Sequence, residues 1–252
     1  MTLSTLRPAC RYSACMLTLL LCAGESRMTS AACTLAPTAG NDNFTCDSGS
    51  SGPLTDTAGN NTLTFPANGT GSINGNVTFG AGADTVIMNS GFITGLLNVG
   101  DGTNTVTIAG GTVTGAVIQG SGVDSFIMNG GTIGALSQGD SHDRFLMTAG
   151  TITGAFEDGD EAKMTGGTIG RVDMKLDNNL FDMSGGRIIG NLVAGFGNDT
   201  ILISGTAFVG GNISVSGGND VVTVSGGDVN GQILLSFGND EFGWTGGNLH
   251  SF

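Results

Sequence analysis

From Asn61 onward, apolar and polar residues alternate in short runs that return roughly every 20 residues. An Asp or Asn opens each run: Asn61, Asp84, Asn104, Asp124, Asp143, Asp160, Asn179, Asp199, Asp220 and Asp240. Two residues later comes an apolar residue, from Leu63 and Val86 to Val222 and Phe242, and two later again a second, from Phe65 and Met88 to Val224 and Trp244. Alternation with period two points both side chains to one face of a short strand. A glycine turn follows in most copies, as at Gly110-Gly111 and Gly130-Gly131. Two further apolar columns complete the repeat. One runs Ile93, Val113, Ile133, Ile152, Ile169, Ile188, Phe208, Val229 and Leu249; the other runs Leu97, Val117, Leu136, Phe156, Val172, Leu192, Ile213 and Ile233.

Each repeat thus predicts three short strands divided by glycine turns. A unit this small cannot bury a core alone, so the units must stack. Antiparallel hairpins do not require one fixed period in every column, whereas a parallel solenoid does, because each residue sits on its counterpart one coil below. The expected fold is all-β: a parallel β-helix of about nine coils over 61–252, with a β-roll as the nearest competitor. The chirality of parallel crossovers favours a right-handed one. At about 4.8 Å per coil, ten columnar positions span on the order of 45 Å. The methionines from Met88 to Met183 read as core filling between the coils.

Composition agrees. Glycine is 46 of 252 residues and charged residues are 12%, about half the usual share. Glycine this dense defeats long helices, and the absence of a strict triplet period excludes collagen.

The N-terminus departs from the pattern. Arg7 and Arg11 precede an apolar stretch, Ala14 to Gly24, too short to span a membrane. Small residues at Ser30, Ala31 and Ala32 then offer a cleavage site before Cys33. Residues 1–32 are expected to be a secretory signal; a lipoprotein signal at Cys33 is the alternative. Cleavage removes Cys10, Cys15 and Cys22 and leaves Cys33 and Cys46, which in an exported chain predict one disulfide. That bond would hold an N-terminal cap over 33–60, protecting a strand edge that would otherwise be bare. At the other end the chain reaches Phe252 just after the opening of another coil, so further sequence is expected there.

Cleavage also removes Arg7, Arg11, Arg27 and Glu25, leaving five basic and twenty acidic residues and a net charge of −15. Nucleic acid and anionic membrane are poor partners for such a surface. All five remaining basic residues, Arg144, Lys163, Arg171, Lys175 and Arg187, lie in one stretch with nine acidic ones. This reads as a solvated region of mutually neutralising charge. The same stretch holds the shortest step of the repeat, 17 residues from Asp143 to Asp160.

Three chemistries were weighed for the columns. Gly195-Phe196-Gly197-Asn198-Asp199, and the turns ending at Asp220 and Asp240, resemble half of the glycine-rich nonapeptide of calcium-binding RTX repeats. That makes Asp199, Asp220 and Asp240 the candidate calcium ligands. The turn comes once per coil here rather than twice, and Asn interrupts the column. Asp and Asn capping tight turns through the backbone is therefore the preferred reading; Asn178, Asn198, Asn219 and Asn239 could form a side-chain ladder beside it. A threonine column, Thr112, Thr132, Thr151 and Thr168, resembles the arrays of ice-binding solenoids but is broken by Phe92, Arg187 and Asp228. For catalysis, Asp140, Asp143 and Arg144 are the only carboxylate–cation group to consider for a polysaccharide lyase or glycosidase. No catalytic residue is assigned and no cofactor is expected apart from calcium.

The secretory signal, the Cys33 to Cys46 segment and the glycine-rich repeats together resemble the pertactin-like passenger region of Gram-negative type V autotransporters. The resemblance implies a cell-surface or secreted β-helix in adhesion, aggregation or biofilm formation, with host or bacterial surface ligands. It also implies an outer-membrane translocator β-barrel, which this chain lacks.

Overall fold

A computed structural model describes residues 33–251; the expected signal, 1–32, and Phe252 lie outside the described residues. The chain winds into a parallel β-solenoid of about ten coils, and the described residues contain strands but no α-helix. Among the described residues no helix is long and apolar enough to cross a membrane.

The three strands of each coil stack into three parallel faces. On the first, Thr85–Met88 pairs with Thr105–Ile108, and that strand with the start of Ser125–Ser137, so that Val86, Val106 and Phe126 lie in one column and Met88, Ile108 and Met128 in the next. On the second, Phe92, Thr112, Thr132, Thr151, Thr168 and Arg187 are in register. On the third, Leu97, Val117, Leu136, Phe156, Val172 and Leu192 stack. In mid-molecule the faces run on through the turns, giving single strands at Ser125–Ser137 and Arg144–Glu157. All inward columns enter one continuous core. Three phenylalanines stack within it: ring centroids are 6.0 Å apart for Phe126–Phe145 and 4.2 Å for Phe145–Phe156.

Glycine marks where coils approach most closely. Gly100 has φ of 74° and sits over Gly80. A Cβ there would overlap the Gly80 carbonyl, so both the backbone conformation and the stacking distance exclude a side chain.

Three details differ from the sequence expectation. Stacking begins earlier: Asn43–Thr45, Ser50–Ser51 and Leu54–Asp56 each pair with the following coil. The segment expected as a cap thus contains a coil of its own, and the count rises from about nine to about ten. Phe44 occupies the Leu63 column, while Cys46, fully buried, donates its N–H to Thr64. The Cys33–Cys46 disulfide therefore ties the chain's entry to this first coil. Thr34 adds an antiparallel bridge to Thr45. Second, Phe208 does not continue the Ile188 column; Val209 does. The turn at Gly205–Ala207 carries an extra residue, which moves Phe208 outward, where the Arg187 guanidinium lies 3.6 Å from its ring centroid. Third, the 17-residue step comes out of the turn after Phe156, so all three faces keep their register across it. At the last coil Phe242 and Trp244 are 38% and 52% exposed, whereas their column neighbours Val222 and Val224 are fully buried.

Because Phe145 stacks between two rings, Phe145→Ala should destabilise the solenoid by about 3–5 kcal/mol. Phe92→Ala, on the exposed side of the second face, should change stability by less than about 0.5 kcal/mol. Denaturant titration of the two variants compares them directly.

Candidate functional site

The Asp and Asn column is the most regular polar feature of the molecule, and the structure shows what it does. Each member precedes a first-face strand, where its backbone N–H points along the solenoid axis towards the next coil. The side chain of the next member accepts it. Asp42 N–H donates to Asn61 Oδ1 at 3.0 Å, Asn61 to Asp84 at 2.6 Å, Asp84 to Asn104 at 2.9 Å and Asn104 to Asp124 at 2.6 Å. Asp124 donates to Asp143 at 2.7 Å and Asp143 to Asp160 at 2.8 Å. A second run links Asn179 to Asp199, Asp199 to Asp220 and Asp220 to Asp240. Between the runs Asn179 Oδ1 is buried without a hydrogen-bond partner. The break falls at the coil just after the short turn.

A parallel ladder leaves these pre-strand amides without a strand partner, and a buried N–H must find an acceptor. A short Asx side chain at this position supplies it. Where the residue is Asn, its amide has a second task. Asn104 Nδ2 donates to the carbonyls of Gly100 and Gly102, Asn61 Nδ2 to those of Asp56 and Ala58, and Asn179 Nδ2 to those of Leu176 and Asp177. Where the residue is Asp, Oδ2 stands in place of that amide. It has no hydrogen-bond partner at Asp84, Asp124, Asp143, Asp199 or Asp220.

Burial disfavours the charged form of these carboxyls. It raises the pKa of Asp143 to about 7, with the Asp124, Asp160 and Asp140 charges adding to the effect and the Asp124 N–H opposing it. Asp124 and Asp199 are raised to about 6, again mainly by burial. Asp84 and Asp160 move in the same direction for the same reason.

A second ladder runs beside the first in the opposite sense. Asn198 N–H donates to Asn178 Oδ1, Asn219 to Asn198 and Asn239 to Asn219, at 2.6, 2.7 and 2.9 Å. The expected asparagine ladder thus exists, with side chains accepting from backbone. Inside the core, Gln138 donates to Gln119 at 3.2 Å. This pair was not foreseen, because Gln119 and Gln138 occur in only two coils. Asp42 was also missed. Its signal was present, since Asp42, Phe44 and Cys46 repeat the spacing of Asn61, Leu63 and Phe65.

The candidate calcium ligands Asp199, Asp220 and Asp240 are all ladder members, each with one oxygen engaged by the preceding coil's N–H. Among the described residues no group of three or more His, Cys, Asp or Glu side chains is placed to hold a metal ion. The carboxylate–cation group Asp140, Asp143 and Arg144 is not brought together. Asp143 is fully buried in the ladder, while Arg144 is exposed and pairs with Glu161 at 3.1 Å. Three further basic residues of this stretch are paired in the same way, Lys163 with Asp182, Arg171 with Glu157 and Asp173, and Lys175 with Glu157 and Asp158, while Arg187 lies over the Phe208 ring. These exposed pairs neutralise charge at the surface and contribute little stability each. Asp140 lines an open cleft of about 270 Å³ with Asp158, Lys175 and Asp177. The threonines of the second face are in register and half-buried, and Phe92 and Arg187 bound them.

No family model matches the chain, and no curated protein or solved structure matches it.

Asn104→Ala removes the acceptor of the Asp84 amide and two donors to the turn carbonyls. It should cost about 2–3 kcal/mol and accelerate hydrogen exchange at the Asp84 amide, with little change on coils far along the axis.

Proposed function

We propose that the chain is an exported, surface-exposed or secreted passenger-type β-helix that works in adhesion, aggregation or biofilm formation and is not an enzyme. The observation that carries this reading is how the polar chemistry is distributed. The most regular array of ionisable groups is buried and engaged in holding coils together. Four of the five basic residues of the 140–187 stretch are paired with neighbouring carboxylates. What remains outward is a long surface of small, polar and scattered apolar side chains, suited to multivalent contact rather than to turnover. A rod of stacked coils also suits display at a distance from a cell surface, and its net negative charge of −13 disfavours nucleic acid as a partner. The likeness to autotransporter passengers in signal, disulfide and repeat supports the export route, which calls for a translocator barrel. Calcium-stabilised secretion is the second reading, favoured by the glycine-rich turns before Asp199, Asp220 and Asp240.

The test is to display the full chain on a Gram-negative host through a fused translocator barrel and to measure settling and surface attachment. Increased cell–cell settling or attachment is expected, relative to an unrelated β-helix displayed at equal density. Equal behaviour of the two would sink the adhesive reading. A rise in unfolding temperature with calcium, reversed by chelation, would favour the calcium-dependent one.

A further inference from the structure

The column poses a chemical problem. At Asn61 and Asn104 the side chain uses Oδ1 to accept from the neighbouring coil, and at Asn61, Asn104 and Asn179 it uses Nδ2 to donate to turn carbonyls. The turn stacks from coil to coil: Gly120 lies over Gly100 and donates to its carbonyl, Gly139 lies over Gly120, and Gly122 over Gly102. Gly120 and Gly122 therefore stand at the same offsets before Asp124 as Gly100 and Gly102 before Asn104. Asp124 and Asp143 are 1% and 0% exposed, and each presents a second oxygen with no donor facing it. An ionised carboxylate has only acceptors to offer, so the position that calls for a donor in three coils would hold an unpaired charge in the others. That arrangement is costly when buried.

We propose that Asp124 and Asp143 are folded as neutral acids, with Oδ2–H taking the donor role of the asparagine amide, so that the solenoid binds protons when it folds. The protonated acid and the amide are near-isosteres, which explains how Asp and Asn share one column without disturbing the register. Among the described residues no group of three or more His, Cys, Asp or Glu side chains is placed to hold a divalent cation there. The oxygens concerned are also buried away from solvent.

The surrounding groups point the same way. Around Asp143 stand Asp124, Asp160 and Asp140; around Asp124 stand Asn104, which donates to it, and Asp101. Next along the column, Asp160 faces His142, Asp158 and Asp177. Arg144 is turned to Glu161 at the surface. The folded pKa values, about 6 and about 7, lie above the ordinary 3.8. For a raised pKa, the stabilisation is complete below the unfolded value and is lost as pH rises through the folded one. The column thus favours the folded state most in acid, and that contribution is lost progressively between about pH 4 and pH 7. Carboxyls held below their ordinary value, such as Asp42 through the Thr38 N–H and Asp101 through Ser121, act oppositely and only at lower pH. The comparison must be with variants that keep both histidines, His142 and His250.

The first measurement needs no variant: a carbon-13 NMR titration of the aspartate carboxyls in the full chain. Midpoints for Asp124 and Asp143 well above those of exposed aspartates are expected; midpoints near 4 for both would overturn the proposal. The second compares unfolding temperatures of the wild type, Asp143→Asn and Asp124→Asn at pH 5 and pH 8. The margin of each variant over the wild type should widen between pH 5 and pH 8 by on the order of 5 °C. Variants less stable than the wild type at pH 8 would contradict it. So would a wild type that gains stability from calcium at pH 8 when Asp143→Asn does not, since the column would then be a cation site.

Discussion

A parallel solenoid depends on the amide that precedes each first-face strand. Strand pairing satisfies the amides within the strand, and the turns satisfy others, but the one before the strand points along the axis at the neighbouring coil. An Asp or Asn side chain from that coil accepts it in every step from Asp42 to Asp160 and again from Asn179 to Asp240. This one bond couples position along the sequence to position along the axis. It fixes where each coil starts, and the inward columns follow from there with period two.

The remaining features can be read as consequences. With the coil start fixed, turn length can vary without loss of register, and the chain uses that freedom. Steps range from the 17 residues between Asp143 and Asp160 to the 23 between Asn61 and Asp84, while the three faces remain continuous. Close stacking of the turns removes room for side chains, which accounts for glycines such as Gly100 and Gly122. The break in the ladder at Asn179 lies one coil beyond the shortest turn, at a step that the surface ion pair Lys163–Asp182 spans.

Much of this was legible in the sequence because a solenoid writes its geometry as a period. The first-face columns and the third-face column were recovered residue by residue, since each inward position demands an apolar side chain in every coil. Register errors arose where a turn gained a residue, as at Phe208, because spacing alone cannot say which of two adjacent apolar residues faces inward. The first coil was overlooked because Ser51 stands where later coils carry an apolar residue, and Cys46 fills an apolar column position while also forming a disulfide. The Asp and Asn column was expected to cap its own turns, and only the asparagine amides bond the local turn carbonyls. The side-chain oxygen bonds the adjacent coil, about 20 residues away in sequence, rather than the local backbone two residues on. Nor does sequence show that one carboxyl oxygen would be buried without a donor, because that depends on which carbonyls the neighbouring turn presents.

The claim that the column organises the stack is tested most directly by amide hydrogen exchange on the intact chain. The account predicts that the pre-strand amides of Asn61, Asp84, Asn104, Asp124, Asp143, Asn179, Asp199 and Asp220 are protected to the same degree as the strand amides beside them. Exchange of these amides at the rate of an unfolded reference, with the strands still protected, would contradict it.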